Sequence, residues 1–509
     1  MLTMQNNALQ SICIVGGGTA GWMAASLLSS ALQGSGIKIT LIESREIATI
    51  GVGESTVPSI MDFLRACQIN PKDFIEATSA SFKLGIRFDG WSKPGENFFH
   101  PFGAIGRGIN GFEFYQAWLK TAAEGQTTRW LDHSPNAIMA ENQRFMLRPP
   151  QQQNWVLNSF AYALHLDAVL AARFLQTSSK ARGVERIEAT VTKVVVDERE
   201  FIQAVELSNG TTIASDFFID CTGFRGLLIE GALKVGYEEW THYLPCNRAV
   251  AVQTENTEDP VPYTLATAQD AGWSWRIPLQ HRTGNGYVFS NQYCTDDLAV
   301  DTLIKTVQGK LISEPRIIPF VTGRRKKIWH NNCMALGLAS GFLEPLESTA
   351  IHIVYKTLVH FVRYLPDRDF DSHVERLFND KINMDYQEIR DFIILHYCTS
   401  GRDDTAFWRW CQNMPVPDSL REKIAMFRER GHLEQTPGQF FTGDSWCSIL
   451  EGMNIRPQKY HPLMDAFATD WLRKSLEESA QTVRETVLTM PRHGDYIRQH
   501  CPARPVLQE

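Results

Sequence analysis

Three groups of residues in this 509-residue chain have types and spacings that could do chemistry. The first is SICIVGGGTAG (11–21), where Gly16, Gly18 and Gly21 stand as G-x-G-x-x-G. In that arrangement the first glycine permits the turn, the second lets a pyrophosphate approach the backbone, and the third lets a helix settle on the strand. Thr19 and Ala20 open that helix, whose positive end faces the phosphates. The second group is ionic: Lys83 in SFKLGIRFDGW (81–91), and Glu344 and Glu347 in GFLEPLEST (341–349). A carboxylate in such apolar surroundings serves acid–base or charge-stabilising chemistry, or else caps a helix. The third is GWSWRIPL (272–279), with Trp273 and Trp275 one residue apart. In a strand both indoles leave the same face, either as core packing or as a wall beside a flat cofactor.

The elements that must position these groups are legible around them. Ile12 to Val15 form a β-prone run into the glycine loop, and WMAASLLSS continues as a helix. IKITLIES (37–44) reads as a second strand ending in Glu43, 22 positions after Gly21 and placed for a ribose hydroxyl. FFIDCTGFRG (217–226) reads as a strand returning to the same sheet. No second G-x-G-x-x-G occurs, which favours FAD over a resident nicotinamide. In 81–91, Phe82, Leu84, Ile86 and Phe88 alternate with Lys83, Gly85 and Arg87, so the pattern by itself puts Lys83 in solvent. FFHPFG (98–103) sets His100 among aromatics, lining a pocket or filling a core. In 334–362 a β-like run passes through a loop to an apolar helix, with Ser348 and Thr349 as N-cap candidates and N–H groups at 349–351 open to an anion. Pro278 should end the tryptophan strand, and beyond 360 the chain turns helical.

Composition narrows the function classes. A net charge of −7 argues against nucleic acid as a partner, and the one dense basic run, GRRKKIWH (323–330), is short. No stretch reaches the roughly 18 apolar residues of a membrane span, and the first residues lack the pattern of a secretory signal. The ten cysteines are scattered without C-x-x-C, which favours neither zinc nor a disulfide framework. A cytoplasmic, metal-free enzyme is the expectation.

With the glycine loop, GWSWRIP and PLEST in that order, the sequence resembles the flavin-dependent tryptophan halogenases over essentially its whole length. Trp273-Ser-Trp275-Arg-Ile277-Pro278 matches the family's W-x-W-x-I-P, and Gly51 to Pro58 matches its flavin strap. Lys83 in FKLGI and Glu347 in PLEST fall on its essential lysine and glutamate, and ILHY (394–397) is shared as well. The resemblance implies an α/β fold: an FAD-binding Rossmann-like module of the flavoprotein monooxygenase type over 1–358, and a largely helical substrate module over 359–509. It implies FAD arriving reduced as FADH2 from a separate flavin reductase, a chloride or bromide ion, and a small aromatic substrate such as an indole. Hypohalous acid made from reduced flavin, oxygen and halide would reach Lys83, which hydrogen-bonds it or becomes a haloamine. Glu347 would stabilise the charge developing on the ring or take its proton.

By the same resemblance, Ser55, Val191, Leu338 and Ile351 would touch FAD, and the amides of Thr349 and Ala350 would hold halide. Ile86, His100 and Phe102 would line the substrate pocket, and Trp273 and Trp275 would keep substrate from the flavin. Two departures stand out. Ala350 replaces the family's usual glycine, and a positive φ there would strain alanine. RGHLEQTPGQFFTGDSWCSILEG (430–452) lacks the tyrosine pair that helps clamp free tryptophan, offering only Phe440 and Phe441. Competing readings are a monooxygenase hydroxylating an aromatic and a flavin-binding accessory protein without turnover. A homodimer is compatible with the sequence.

Overall fold

The computed structural model describes residues 7–44, 53–125, 128–147, 155–435 and 437–505. Its organising element is a six-stranded sheet in the order 329–330, 333–335, 217–220, 11–15, 38–43, 185–188. The strand Ser11–Val15 lies at its middle, parallel to Phe217–Asp220 on one side and Lys38–Glu43 on the other. Both faces of this strand are covered, which is why it reads as an unbroken apolar run and not an alternating one. The helix Thr19–Ala31 packs back across it, burying Trp22, Met23, Leu27 and Leu28. The expected strands on either side of the glycine loop, and the return of 217–220 to their sheet, are all present.

A second sheet of seven strands runs 316–319, 248–254, 283–289, 272–278, 264–269, 85–89, 97–101. Its strand Gly272–Pro278 ends at the proline, and its burial alternates so that Trp273 and Trp275 share one face. A three-stranded sheet joins Gly53–Ser55 and Ser81–Lys83 to either edge of Ala163–Asp167. Here the structure departs from the simple alternation of 81–91. The run splits at Leu84 into Ser81–Lys83 and Gly85–Asp89, which belong to different sheets. Leu84 bridges them through its N–H to Pro262 O and its carbonyl to Phe102 N, 2.8 Å each. Lys83 therefore leaves the alternating face and is fully buried, against what the pattern predicts for it.

The later chain is helical, with Ala350–Arg363, Ser372–Cys398, Asp418–Arg430 and Thr469–Leu488 as its longest helices. The expected division at 358/359 falls inside Ala350–Arg363, and one hydrophobic core runs from Leu9 to Cys501 through both halves. The ten cysteines are free thiols. No helix of the described residues is long and apolar enough to cross a membrane.

Candidate active site

A cavity of about 700 Å³ opens at the carboxyl ends of the parallel strands, where a doubly wound sheet binds its ligands. Gly16, Gly18, Thr19, Ala20, Glu43, Ser55, Val191, Leu338 and Ile351 all line it. Gly21 does not; it is buried beneath, where a methyl group would overlap the Gly16 carbonyl. Gly16 has φ +114° and its missing side chain makes room for the Cys221 carbonyl. Gly18 is different in kind. Its φ of −72° suits any residue, and no described atom lies within 4 Å of where a Cβ would stand.

Nothing among the described residues requires glycine at 18, so the space it leaves fits a group from outside. The first turn of Thr19–Ala31 holds no acid, so its free N–H groups suit a pyrophosphate. At the adjoining strand end the Glu43 carboxylate is fixed by Trp22 Nε1 at 3.2 Å, Gln176 Nε2 at 3.1 Å and the Arg186 guanidinium. The residues present therefore fit FAD. Gly18→Ala is expected to leave the melting temperature of the protein without flavin unchanged while weakening FAD binding about tenfold or more, because the methyl occupies pyrophosphate space. Flavin fluorescence titration checks the affinity and a thermal melt checks the fold.

Gly51 and Val52 of the strap lie outside the described residues, but its Ser55 is placed, and its polarity is set from behind. Ser81 Oγ donates to the Pro278 carbonyl at 2.5 Å, so it accepts from His165 Nδ1–H at 3.2 Å. His165 Nε2 is then an acceptor and takes the Thr264 hydroxyl proton at 2.9 Å, leaving Thr264 to accept from Ser55 at 2.8 Å. Burial holds the His165 imidazole neutral, as this chain requires. Ser55 is thereby oriented with its lone pairs free for a donor in the cavity.

Trp273 and Trp275 line the same cavity, with ring centroids 6.1 Å apart. Trp275 lies across Gly286 on the neighbouring strand, where any Cβ would strike its indole. The pair thus packs as core on one side and faces the cavity on the other.

Behind this wall lies a second group of residues. Lys83 Nζ donates to Thr56 O at 3.0 Å and Ser348 Oγ at 2.9 Å, and stands 5.0 Å over the Phe102 ring. Burial pushes its ammonium down to about 7, against the pull of the Glu347 carboxylate. Glu347, only 1% exposed, accepts from His100 Nδ1 at 3.0 Å and His396 Nε2 at 2.9 Å. Burial alone would raise its pKa, but the two imidazoles outweigh it and hold the carboxyl down at about 2. Three residues earlier, burial pushes Glu344 up to about 7, with Tyr397 donating to it at 2.7 Å. Two carboxyls on one loop thus differ in protonation because their partners differ. Neither of them caps the following helix.

That helix, Ala350–Arg363, begins after Thr349 with no side-chain cap and no acid in its first turn. Thr349 and Ala350 both line the cavity, so its N-terminal amides are available to an anion there. The strain expected at Ala350 does not arise. Ala350 is already helical, and the positive φ, 58°, falls on Ser348. Ser348 faces the cavity on one side and Lys83 on the other.

Ile86 pairs with His100 across Gly85–Asp89 and Asn97–Pro101, so the three expected pocket residues do come together around Lys83 and Glu347. Phe441 stacks on Phe392 at 3.6 Å, and Phe392 lies 5.7 Å from His100. Phe440 stacks on His352 at 3.8 Å. Sequence reasoning noted ILHY but gave His396 no task. The available signal was its place four residues after Phe392 on a helix, within an otherwise apolar run.

A family model described as tryptophan halogenase matches residues 11–469. The tryptophan 6-halogenase SttH of Streptomyces toxytricini is 34% identical, covering 96% of this chain and 97% of its own. Among solved structures, a flavin-dependent halogenase from Xanthomonas campestris superposes with a TM-score of 0.94 at 41% identity, covering 98% of this chain and 99% of its own. BrvH, a flavin-dependent halogenase from Brevundimonas sp. BAL3, gives the same TM-score and identity, over 98% of this chain and 100% of its own.

Proposed function

The chain belongs to the tryptophan halogenase family and is a flavin-dependent halogenase, and on that premise we propose that its two groups of residues divide the reaction between them. Reduced flavin, when bound, supplies with oxygen the oxidation of halide to hypohalous acid. The residues that would hold it are Gly16, Gly18 and the first turn at Thr19 and Ala20 for the pyrophosphate, and Glu43 and Val191 toward the adenosine end. Ser55, Leu338 and Ile351 would meet the rest of the cofactor. Thr349 and Ala350 would hold the halide at the helix N-terminus. Trp273 and Trp275 would keep an aromatic substrate out of the flavin cavity, which favours halogenation over the direct hydroxylation of a monooxygenase.

The observation that carries this division is the hydrogen bond from Lys83 to Ser348. It sets the lysine at the one residue that borders the cavity and directly precedes the proposed halide site. An ammonium near pKa 7 can donate to the oxidant, and its free amine can accept the halogen, at the same pH. Glu347, held ionised, would stabilise positive charge on the ring. Its pKa of about 2 makes it a poor base at neutral pH, which favours the electrostatic role over proton removal. The test is mass spectrometry of an indole panel incubated with a flavin reductase, FAD, oxygen and each halide. Hydroxylated products would support a monooxygenase, and no product would support an accessory protein.

The preferred substrate is proposed to be an indole with little side-chain charge. In 430–452 the carboxylates nearest the aromatic layer are already engaged: Asp444 accepts from Ile105 N at 3.0 Å, and Glu451 from Tyr115 at 2.6 Å. Glu388 accepts the N–H groups of both Phe440 and Phe441, at 2.9 Å each. His432 and Glu434 face solvent. The ammonium of a zwitterion entering here would lose hydration without one of these carboxylates free to meet it, at a cost of several kcal/mol for an unpaired charge. Free indole is therefore expected to outcompete tryptophan when both are supplied equally, and competition kinetics will show which is consumed first.

A further inference from the structure

We infer that His396 is a positioning residue for this reaction: a buried imidazolium that carries the counter-charge of Glu347 and keeps it an ionised, fixed carboxylate. The inference rests on the reading of Glu347 given above and adds a residue to it. Both ring nitrogens of His396 face acceptors. Nδ1 lies 2.7 Å from the Phe392 carbonyl, four residues earlier on its own helix, and Nε2 lies 2.9 Å from Glu347 Oε1. A carbonyl offers no proton, so Nδ1 must donate. The contact at Nε2 then needs a second proton, shared between imidazole and carboxyl.

That proton belongs on the imidazole. Imidazole is the stronger base by about two pKa units, and Glu347 also receives His100 Nδ1 at 3.0 Å, a bond that favours its ionised form. The Lys83 ammonium is coupled electrostatically to the same carboxylate. The surroundings leave no other candidate among the described residues. Phe88, Trp91 and Phe392 pack on the His396 ring at 5.1, 6.1 and 5.3 Å, and the neighbouring Tyr397 hydroxyl is turned to Glu344. His396 itself is 0% exposed, so water cannot replace either partner.

His100 plays a different part. It donates to Glu347 through Nδ1, while its Nε2 is buried with no hydrogen-bond partner among the described residues. The paired imidazolium and carboxylate can be held in this dry site because each supplies the other's charge. An uncharged residue at 396 would leave Glu347 buried with less compensation, and its carboxyl pKa would rise.

Two measurements test this. In the ¹⁵N spectrum of the full-length protein labelled at its histidines, one of the 14 histidines is expected to show both ring nitrogens as hydrogen-bonded N–H groups. That signal should vanish in His396→Gln and give way to a ring with a single N–H in Glu347→Gln. A wild-type spectrum with no such histidine overturns the inference, whatever the variants do. Separately, His396→Gln should lower kcat about tenfold or more while KM for the aromatic substrate and FAD affinity stay within about twofold, because the fixed charge of Glu347 is weakened and the pocket shape is kept. A loss carried by KM, or no loss, would also overturn it. The proposed role of Glu347 is tested apart from this by the activity of Glu347→Gln, so the two readings can fail independently.

Discussion

Lys83→Ala abolishes halogenation while FAD affinity stays within about twofold of the parent protein. The expectation follows from where the ammonium sits. It does not line the flavin cavity; its hydrogen bonds go to Thr56 O and Ser348 Oγ, and its nearest carboxylate is Glu347. Removing it therefore takes away a cation next to both the proposed halide helix and the substrate group, with no residue of the cavity lining changed. A product assay with a reductase gives the activity, and flavin titration gives the affinity. Halogenation at the parent rate would remove Lys83 from the chemistry.

The same substitution site carries a stability signature. Burial lowers the Lys83 pKa in the folded state to about 7, far below its value in the unfolded chain. Between these values the unfolded chain binds more protons than the folded one, so stability rises with pH across that window. Lys83→Met keeps the shape and removes the ionisable group. It is expected to raise the melting temperature at pH 7 and to flatten the dependence on pH between 7 and 10, which calorimetry at a series of pH values will show.

How much of this was legible in the residues themselves varies with range. The glycine loop and its sheet were legible because every requirement there is local: a strand, a turn with φ +114° at Gly16, and a helix in consecutive residues. The strand ending at Pro278 was legible for the same reason. Lys83 was not legible from its own stretch. The alternation of 81–91 is real, but the chain changes sheet at Leu84, and the partner that draws it aside, Pro262, is far along the chain. Only the resemblance to a family marked that lysine.

The Glu347 environment shows the same limit. Its two imidazoles come from a strand at 97–101 and a helix at 372–398, and no spacing rule links them. Ala350 is an instructive case in the other direction. The strain anticipated from its side chain was assigned to the wrong residue, because the helix begins at Ala350 itself and the left-handed residue is Ser348, held by Lys83.

Glu347→Gln is expected to slow halogenation by about 10²–10³ at saturating substrate, the usual consequence of losing one preorganised electrostatic partner. The amide has nearly the shape of the carboxylate and can still accept from His100 through its oxygen while donating its N–H to His396 Nε2, so the loss reports charge more than packing. Two further consequences distinguish a charge partner from a base. First, a carboxyl held at about 2 does not titrate near neutral pH, so parent activity should show no limb belonging to Glu347 between pH 5 and 9. Second, the Glu347 carboxylate is the group that pulls the Lys83 pKa upward against burial. In Glu347→Gln that pull is gone, the ammonium is disfavoured further, and the pH at which Lys83 loses its proton falls below about 7. The residual activity of the variant should accordingly place its lysine-dependent limb at lower pH than the parent enzyme. A full pH–rate profile of both proteins measures this. An unchanged rate would leave Glu347 as packing alone, and a reduced rate with an unmoved lysine limb would mean that the two groups are not electrically coupled.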